Sequence, residues 1–392
     1  MTETIASAAG GLHPPASLRA AAERALGVAQ EKVDRLVTAH GDYFPLYTER
    51  GRWHHDKEPW TNWCEGFLGG QMWIFAEVTG DPLWRRRAEH YSLLVEPRKH
   101  DRTVHDLGFV FWPTWKRWYD LTGDPSRNDV VVTAGRTMGL RYNPAGRYLR
   151  SFLAPDSLFI DIMMNVGIVF HAAQHSGDDA LLDIAHQHCR TTRRHLVRGD
   201  GSTAHEGVFD LETGEFLRQS TQQGWRSDSC WARGQTWALY GFGTCYALTG
   251  ERDYLDTAIA CADHYLARTG DRLVPPNDWD EPDPRLPYES SAAAIAASGL
   301  IQLAELVEPV DGERAARYRG HAFAALERLC QEDFLASDDP SWEGVLKHGS
   351  YHESKGLGVD ESVMWGDYFF TEALHKILGG PLTAVSGPRP TA

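Results

Sequence analysis

The 392-residue chain is predicted to fold as an all-α (α/α)6 barrel, a toroid of six helical hairpins. Two observations predict it. A turn signature recurs along the chain: "TGDP" at 79–82 and 122–125, "SGDD" at 176–179, "TGER" at 249–252, and a looser "VDGE" at 310–313. In each, Gly supplies the left-handed residue that ends one helix, and Asp or Pro opens the next. The segments on either side also differ in kind. Those before a turn are apolar on most faces and read as buried inner helices; those after it carry one apolar and one polar face and read as an outer layer.

In chain order, "ASLRAAAERALGVAQEKVDRLVTA" (16–39) is the first outer helix. The inner helices are expected over 63–78, 108–121, 159–173, 231–248, 290–307 and 362–378, with five more outer helices near 82–96, 125–138, 179–196, 252–267 and 312–331. Six of each is the arithmetic of the toroid. The turn spacings of 43, 54, 73 and 61 residues are less regular than a solenoid's and imply long loops at one end, where loops usually carry function. A single catalytic domain is expected over 16–379, with disordered ends at 1–15 and 380–392.

Composition narrows the function. The net charge of −15 argues against nucleic acid and anionic membranes as partners, because both demand basic patches. It leaves room for a small anionic ligand, since distant surface charge is screened within about 8 Å at physiological salt. Fourteen tryptophans suit either sugar-stacking surfaces or a large helical core. The six cysteines include no C-x-x-C pair and fall mostly in apolar helical patterns, where free Cys behaves as a small hydrophobe. The N-terminus lacks the charged and apolar regions of a signal peptide, and no uninterrupted apolar run of membrane-spanning length is evident. A soluble, cytoplasmic monomer or homodimer is the expectation.

The residues that do not suit a bland core collect at the entrances of the inner helices. Trp63 and Phe67 open the first, His105 and Asp106 the second, and Asp161 lies near the start of the third. Asp228 and Ser229 are placed to cap the fourth, ahead of Trp231 and Arg233. Glu289 opens the fifth and Trp365 sits early in the sixth. With alternate helices parallel, all six entrances face one mouth, and helix N-termini there favour an anion. Asp106 reads equally as an N-cap or as a catalytic carboxylate. Asp161 stands among Phe159, Ile160, Ile162 and Met163, where an unpaired charge is costly, so a functional role is the better reading. Trp237, four residues beyond Arg233, shares its helix face and is placed to stack on the guanidinium. His171 and His175 have i, i+4 metal-pair spacing but no local acidic ligand. No metal or cofactor is expected: there is no P-loop, dinucleotide fingerprint or serine elbow.

"HDLGF" (105–109), "IDIMMN" (160–165), "QGWRSDSCWARGQTW" (223–237), "ESSAAAIAASGL" (289–300), "YHESKGLGVDES" (351–362) and "WGDYFFTEAL" (365–374) occur in one order over about residues 30 to 380. This set resembles glycoside hydrolase family 88, the unsaturated glucuronyl hydrolases. The resemblance implies an (α/α)6 barrel that acts on a Δ4,5-unsaturated uronic acid at the non-reducing end of a lyase-generated oligosaccharide. It matches Asp161 to the general acid/base and Asp106 to a second essential aspartate. His205 and Gln223 match polar groups at the reacting sugar. Trp63, Phe67, Trp231, Arg233 and Trp237 match the binding wall, and His352 another binding position. Phe152 stands where relatives often carry Trp, keeping a stacking face without the indole N–H. Lys355 and Ser354, near His352, are placed to meet a sulfate or are ordinary loop residues.

The implied mechanism hydrates a vinyl ether. Asp161 delivers a proton to C4, water adds at C5, and the hemiketal opens to expel the neighbouring sugar, with Asp106 as the charged neighbour that raises the Asp161 pKa. The alternatives are an unsaturated rhamnogalacturonyl hydrolase of family 105, a sugar 2-epimerase on the same toroid, and a non-catalytic carbohydrate-binding toroid.

Overall fold

The computed structural model describes residues 13–54, 62–283 and 287–382; most of both ends expected to be disordered lies outside the described residues. The helices run α1 (Ala16–Ala39), α2 (Gly66–Thr79), α3 (Pro82–Val95), α4 (Leu107–Phe111), α5 (Arg117–Thr122), α6 (Pro125–Gly139), α7 (Ile162–Asn165) and α8 (Gly167–Ser176). They continue with α9 (Asp179–Leu196), α10 (Ala232–Thr249), α11 (Arg252–Thr269), α12 (Ser290–Val307), α13 (Gly312–Leu329) and α14 (Met364–Ile377).

An inner ring closes: α2 packs on α4, α4 on α7, α7 and α8 on α10, α10 on α12, α12 on α14, and α14 back on α2. Outside it, α3 covers α2, α6 and α9 flank α8, α11 covers α10, α13 covers α12, and α1 lies against α13 and α14. This is the (α/α)6 barrel. The turn signature works as read at 79–82, 122–125 and 176–179; at 249–252 Glu251 makes no capping bond, and at 310–313 Gly312 is already the first residue of α13. Gly80, Gly123, Gly177 and Gly250 adopt φ of 67°, 66°, 63° and 73°, the left-handed conformation glycine tolerates best. Asp81, Asp124, Asp178 and Asp311 then accept a backbone N–H from the first turn of the following helix at 2.8, 2.9, 3.0 and 2.9 Å.

Two inner helices are interrupted where continuous ones were expected. A π-helical turn, Trp112–Lys116, separates α4 from α5, because Pro113 has no N–H to donate and its ring crowds the preceding turn. The segment expected as helix from 159 instead runs as strand to Phe159 and turns helical only at Ile162. The cap expected of Asp228 and Ser229 is also absent. Trp231 occupies the N-cap position of α10, exposed Asp228 pairs with Arg226, and Ser229 donates to Asp278 at 2.6 Å. Contrary to the reading of apolar run lengths, α12 is long and apolar enough to cross a membrane, with a mean hydropathy of 1.4. Its residues are 89% buried as one wall of the ring.

The long loops carry short antiparallel strands: β1 (Thr48–Glu49) with β2 (Arg52–Trp53), β3 (Tyr142–Asn143) with β4 (Tyr148–Leu149), β5 (Ser157–Phe159) with β6 (Glu206–Phe209) and β7 (Phe216–Ser220), and β8 (Gly349–His352) with β9 (Leu357–Glu361). They lie at the entrance end. Ser290 of α12 donates its N–H to the carbonyl of His348 beside β8, and Met364 of α14 to Leu46.

Candidate active site

The sheet β5–β6–β7 delivers three of the expected residues to one place. Strand β5 runs directly into Asp161. His205 precedes β6, and its carbonyl accepts the Ile160 N–H at 2.9 Å, which sets His205 beside Asp161. Strand β7 leads into Gln222 and Gln223, whose backbone N–H groups donate to His205 Nδ1 at 3.1 and 3.3 Å. With Nδ1 an acceptor, the imidazole proton sits on Nε2. Burial pushes the His205 pKa down to about 3, so the ring is neutral. Its Nε2 faces Asp161 Oδ2 at 3.5 Å, beyond a good hydrogen bond, and both atoms are buried without a hydrogen-bond partner among the described residues.

Asp106 is built in the same way. It occupies the N-cap position of α4 with φ −105° and ψ 20°, a region where active-site residues often sit, and its side chain makes no capping bond. The cap reading is therefore excluded. His105 accepts the Phe152 N–H on Nδ1 at 3.0 Å and turns Nε2 toward Asp106 Oδ1 at 3.3 Å. Asn165 joins the two carboxylate turns: its Oδ1 accepts the Phe109 N–H at 2.8 Å and its Nδ2 donates to the Asp161 carbonyl at 3.1 Å.

The electrostatics differ from the expected division. Burial raises the Asp161 pKa to about 6, opposed by the positive charge of Arg233. Asp106 is raised well above the ordinary carboxylate range, by burial first and by the Asp161 charge second. Burial and the Asp161 charge thus both favour the protonated form of Asp106. Its side chain is 5% exposed against 14% for Asp161, and burial outweighs the pull of Arg141 and Arg98 toward ionisation, as it outweighs that of Arg233 on Asp161.

Arg233 is the hub of the opposite wall. It pairs with Glu289 and donates to Gln223 Oε1, to the Ser350 carbonyl at 2.6 Å and to the Tyr351 carbonyl at 2.8 Å. Its guanidinium lies over Trp231 at 4.3 Å and Trp365 at 5.2 Å, not over Trp237 as the helical spacing suggested. Trp237 instead packs against Phe109 and Phe369, drawn away by the apolar interior. Glu289 also accepts from Ser291 Oγ at 2.7 Å, and that hydroxyl takes the Trp365 indole N–H at 3.0 Å. With both partners of the pair almost fully buried, Glu289→Ala should cost about 3–5 kcal/mol of stability by leaving the guanidinium uncompensated. Urea unfolding measures it, and a cost below about 1 kcal/mol would mean that solvent reaches the pair.

The remaining expected residues divide by depth. Trp63, half-buried, stacks with Tyr351 at 6.1 Å and packs on Trp365 at 4.7 Å. His352, its pKa lowered to about 4 chiefly by burial, lies beside exposed Ser354 and Lys355. Phe152, 38% exposed, stacks on His105. Phe67 and Trp237 are buried floor, presenting 0% and 1% of their surface to solvent, as deep as Trp231 and Arg233 at 2% each. The His171 and His175 rings stack on each other, and His171 is bonded to Asn128, which accounts for the spacing without a metal. Sequence reasoning missed Tyr351, Asn165 and the part played by Arg141. Tyr351 adjoins His352 within a motif already singled out. A hairpin signal, Asp210 accepting the Thr213 N–H ahead of left-handed Gly214, would have revealed the strands that carry His205 and Gln223.

Six inner-helix entrances therefore meet in one mouth holding two carboxyls, two neutral imidazoles and an aromatic wall. Residues 39–248 match the profile of Glycosyl Hydrolase Family 88. The chain belongs to that family. It is 31% identical to an unsaturated glucuronyl hydrolase of Bacillus sp. (strain GL1), over 91% of this chain and 97% of the relative. The crystal structure of the Bacillus sp. GL1 unsaturated glucuronyl hydrolase superposes with a TM-score of 0.83, at 30% identity, covering 90% of this chain and 96% of that one. An unsaturated chondroitin disaccharide hydrolase of Streptococcus pneumoniae is 31% identical over 89% of this chain and 91% of its own length. Membership in family 88 also decides against the family 105 alternative.

Proposed function

We propose that this glycoside hydrolase is an unsaturated glucuronyl hydrolase, releasing a Δ4,5-unsaturated uronic acid from the non-reducing end of lyase-generated oligosaccharides. The observation that carries the reading is the facing pair of Asp161 Oδ2 and His205 Nε2, buried, 3.5 Å apart and unsatisfied. A buried polar atom left unpaired costs about 1–3 kcal/mol, so a ligand with hydroxyls or a carboxylate is the natural partner.

Asp161, protonated below about pH 6, is the acid that adds a proton to C4 of the vinyl ether. Positive charge then develops at C5 and is shared with the ring oxygen. Water adds at C5 with the Asp161 carboxylate as base; the resulting hemiketal opens to a C5 ketone, and the hemiacetal this leaves at C1 collapses to an aldehyde and releases the neighbouring sugar. Asp106 keeps its proton and donates a hydrogen bond to the sugar, so the site adds no second negative charge beside the substrate's carboxylate. The wall of Trp63, Tyr351 and Phe152 supplies stacking faces.

Absorbance of the C4=C5 chromophore tests the reading directly. The enzyme should bleach it on unsaturated disaccharides while releasing the reducing-end sugar; absorbance conserved across a panel of such disaccharides would refute the activity, leaving an epimerase or a binder. The same panel reads the rim. Exposed Lys355 beside His352 is suited to a sulfate on the leaving sugar, and faster turnover of sulfated disaccharides, lost in Lys355→Ser, is the expected result. Equal rates on sulfated and unsulfated disaccharides would show that Lys355 does not select.

A further inference from the structure

His105 lies between the loop of Phe152 and the Asp106 carboxyl, and its two ring nitrogens face different groups. On one side, Nδ1 accepts the Phe152 N–H at 3.0 Å while the two rings stack with centroids 5.4 Å apart and planes 17° from parallel. Phe159 closes the ring's edge at 5.6 Å. On the other side, Nε2 faces Asp106 Oδ1 at 3.3 Å. An imidazole that accepts on Nδ1 carries its proton on Nε2 while neutral, so the His105 N–H lies on the Asp106 side of the ring, with Nε2 3.3 Å from Oδ1 but outside hydrogen-bond geometry.

The surroundings hold this arrangement firmly. Arg141 donates to the carbonyls of Arg102, Arg150 and Ser151, tying the segment before His105 to the loop that carries Phe152. Ser151 Oγ then donates to Ser157 Oγ at 2.8 Å, which donates on to Glu206 at 2.6 Å, joining the loop to the sheet of Asp161 and His205. Nothing in this framework leaves the His105 ring free to turn, at 2% exposure.

We infer that His105 is a two-sided positioning residue for this reaction: Nδ1 sets the Phe152 wall against which the sugar stacks, and Nε2–H fixes which oxygen of Asp106 faces the substrate. With Oδ1 on the His105 side, Oδ2 is the oxygen left for the carboxyl proton of Asp106, and that O–H is the group presented to the sugar. The kinetic part of this inference rests on the hydrolase reading; the placement of the Asp106 proton does not.

Two substitutions separate the tasks. In His105→Asn, the short amide reaches the Phe152 N–H at the Nδ1 position but not Asp106. In His105→Gln, the longer amide reaches Asp106 at the Nε2 position and gives up the Phe152 anchor. Turnover of the unsaturated disaccharide should show a split. The Asn variant should lose kcat by at least about tenfold with KM within about threefold, the size expected of a misaligned hydrogen-bonding group. The Gln variant should raise KM severalfold while keeping kcat within about threefold. A purely structural residue would lower kcat in both variants alike together with Tm, and that pattern, or a wild-type kcat in the Asn variant, would overturn the inference. The ligand-free readout is the infrared C=O band of the protonated carboxyl, assigned by its loss in Asp106→Asn. It should move to higher frequency in His105→Asn, where the carbonyl oxygen loses the facing N–H, and stay in place in His105→Gln. An unmoved band in the Asn variant overturns the inference whatever the enzyme's substrate. Absence of wild-type turnover with a shifted band would instead refute the hydrolase reading alone.

Discussion

Asp161→Asn should lower turnover of an unsaturated disaccharide by about 10²–10⁴-fold, the usual contribution of a positioned acid, while calorimetric titration finds the disaccharide bound within a few-fold of wild type. The amide keeps the shape of the carboxyl and can turn its oxygen toward the His205 Nε2–H, but it has no proton to give to C4. Retention of wild-type turnover would remove Asp161 from the mechanism. In the wild type, kcat/KM should fall as pH rises past about 6, because the acid form of Asp161 is the working form and its free-enzyme pKa is raised to about 6.

The same substitution should make the protein more stable at neutral pH. Asp161 binds its proton more tightly folded, with a pKa of about 6, than unfolded, where an ordinary aspartate titrates near 3.9. Between those values the folded state holds a proton that the unfolded state has lost, so stability is fully present below about pH 4 and declines as pH rises to 6. Above that the cost of ionising the buried group is about 3 kcal/mol at most. Asn carries no such cost. Its Tm should exceed wild type at pH 7.5 and equal it at pH 4; identical Tm values at both would place Asp161 in better-solvated surroundings than its 14% side-chain exposure indicates. Loss of activity together with a gain of stability is hard to produce by misfolding.

The helices were legible because local chemistry specifies them. A left-handed glycine followed by a capping aspartate is a short-range signal, and three such turns marked hairpins of the barrel. Convergence of the six entrances followed from counting helices. The site's internal wiring did not follow, since most of its bonds join residues far apart in the chain. Arg233 meets Glu289, 56 positions on, and the carbonyls of β8, more than a hundred positions on. Helical spacing offered only Trp237 as its neighbour. Likewise, the sheet carrying His205 is made of strands of three to five residues, too short for an alternating pattern to show. The order of the two aspartate pKa values was illegible for the same reason: it depends on how deeply each carboxyl is buried and on which charges approach it, which are tertiary facts.

Gly108→Ala should be nearly as damaging as removing the acid, although the residue touches no substrate. A Cβ at Gly108 would stand 2.5 Å from Asn165 Cα and 2.9 Å from its carbonyl oxygen. Those are backbone atoms of α7, so no side chain can swing aside, and α4 and α7 must separate. Their separation is what sets Asp106 against Asp161, through the two hydrogen bonds of Asn165. Overpacking of this kind costs about 1–3 kcal/mol, and a displacement of about 1 Å between reacting groups costs on the order of 10²-fold in rate. The expected result is a roughly hundredfold loss of kcat with a Tm lowered by several degrees. Gly167→Ala is the matched control. It opens α8 directly after α7, but its Cβ would meet only side-chain carbons, the nearest at 3.6 Å, which is ordinary contact. That variant should keep near-normal kcat and Tm. If both alanines behave alike, the close approach of α4 and α7 is not what positions the carboxyls; if only Gly108→Ala fails, the "HDLGF" glycine is there to let the two aspartates share one site.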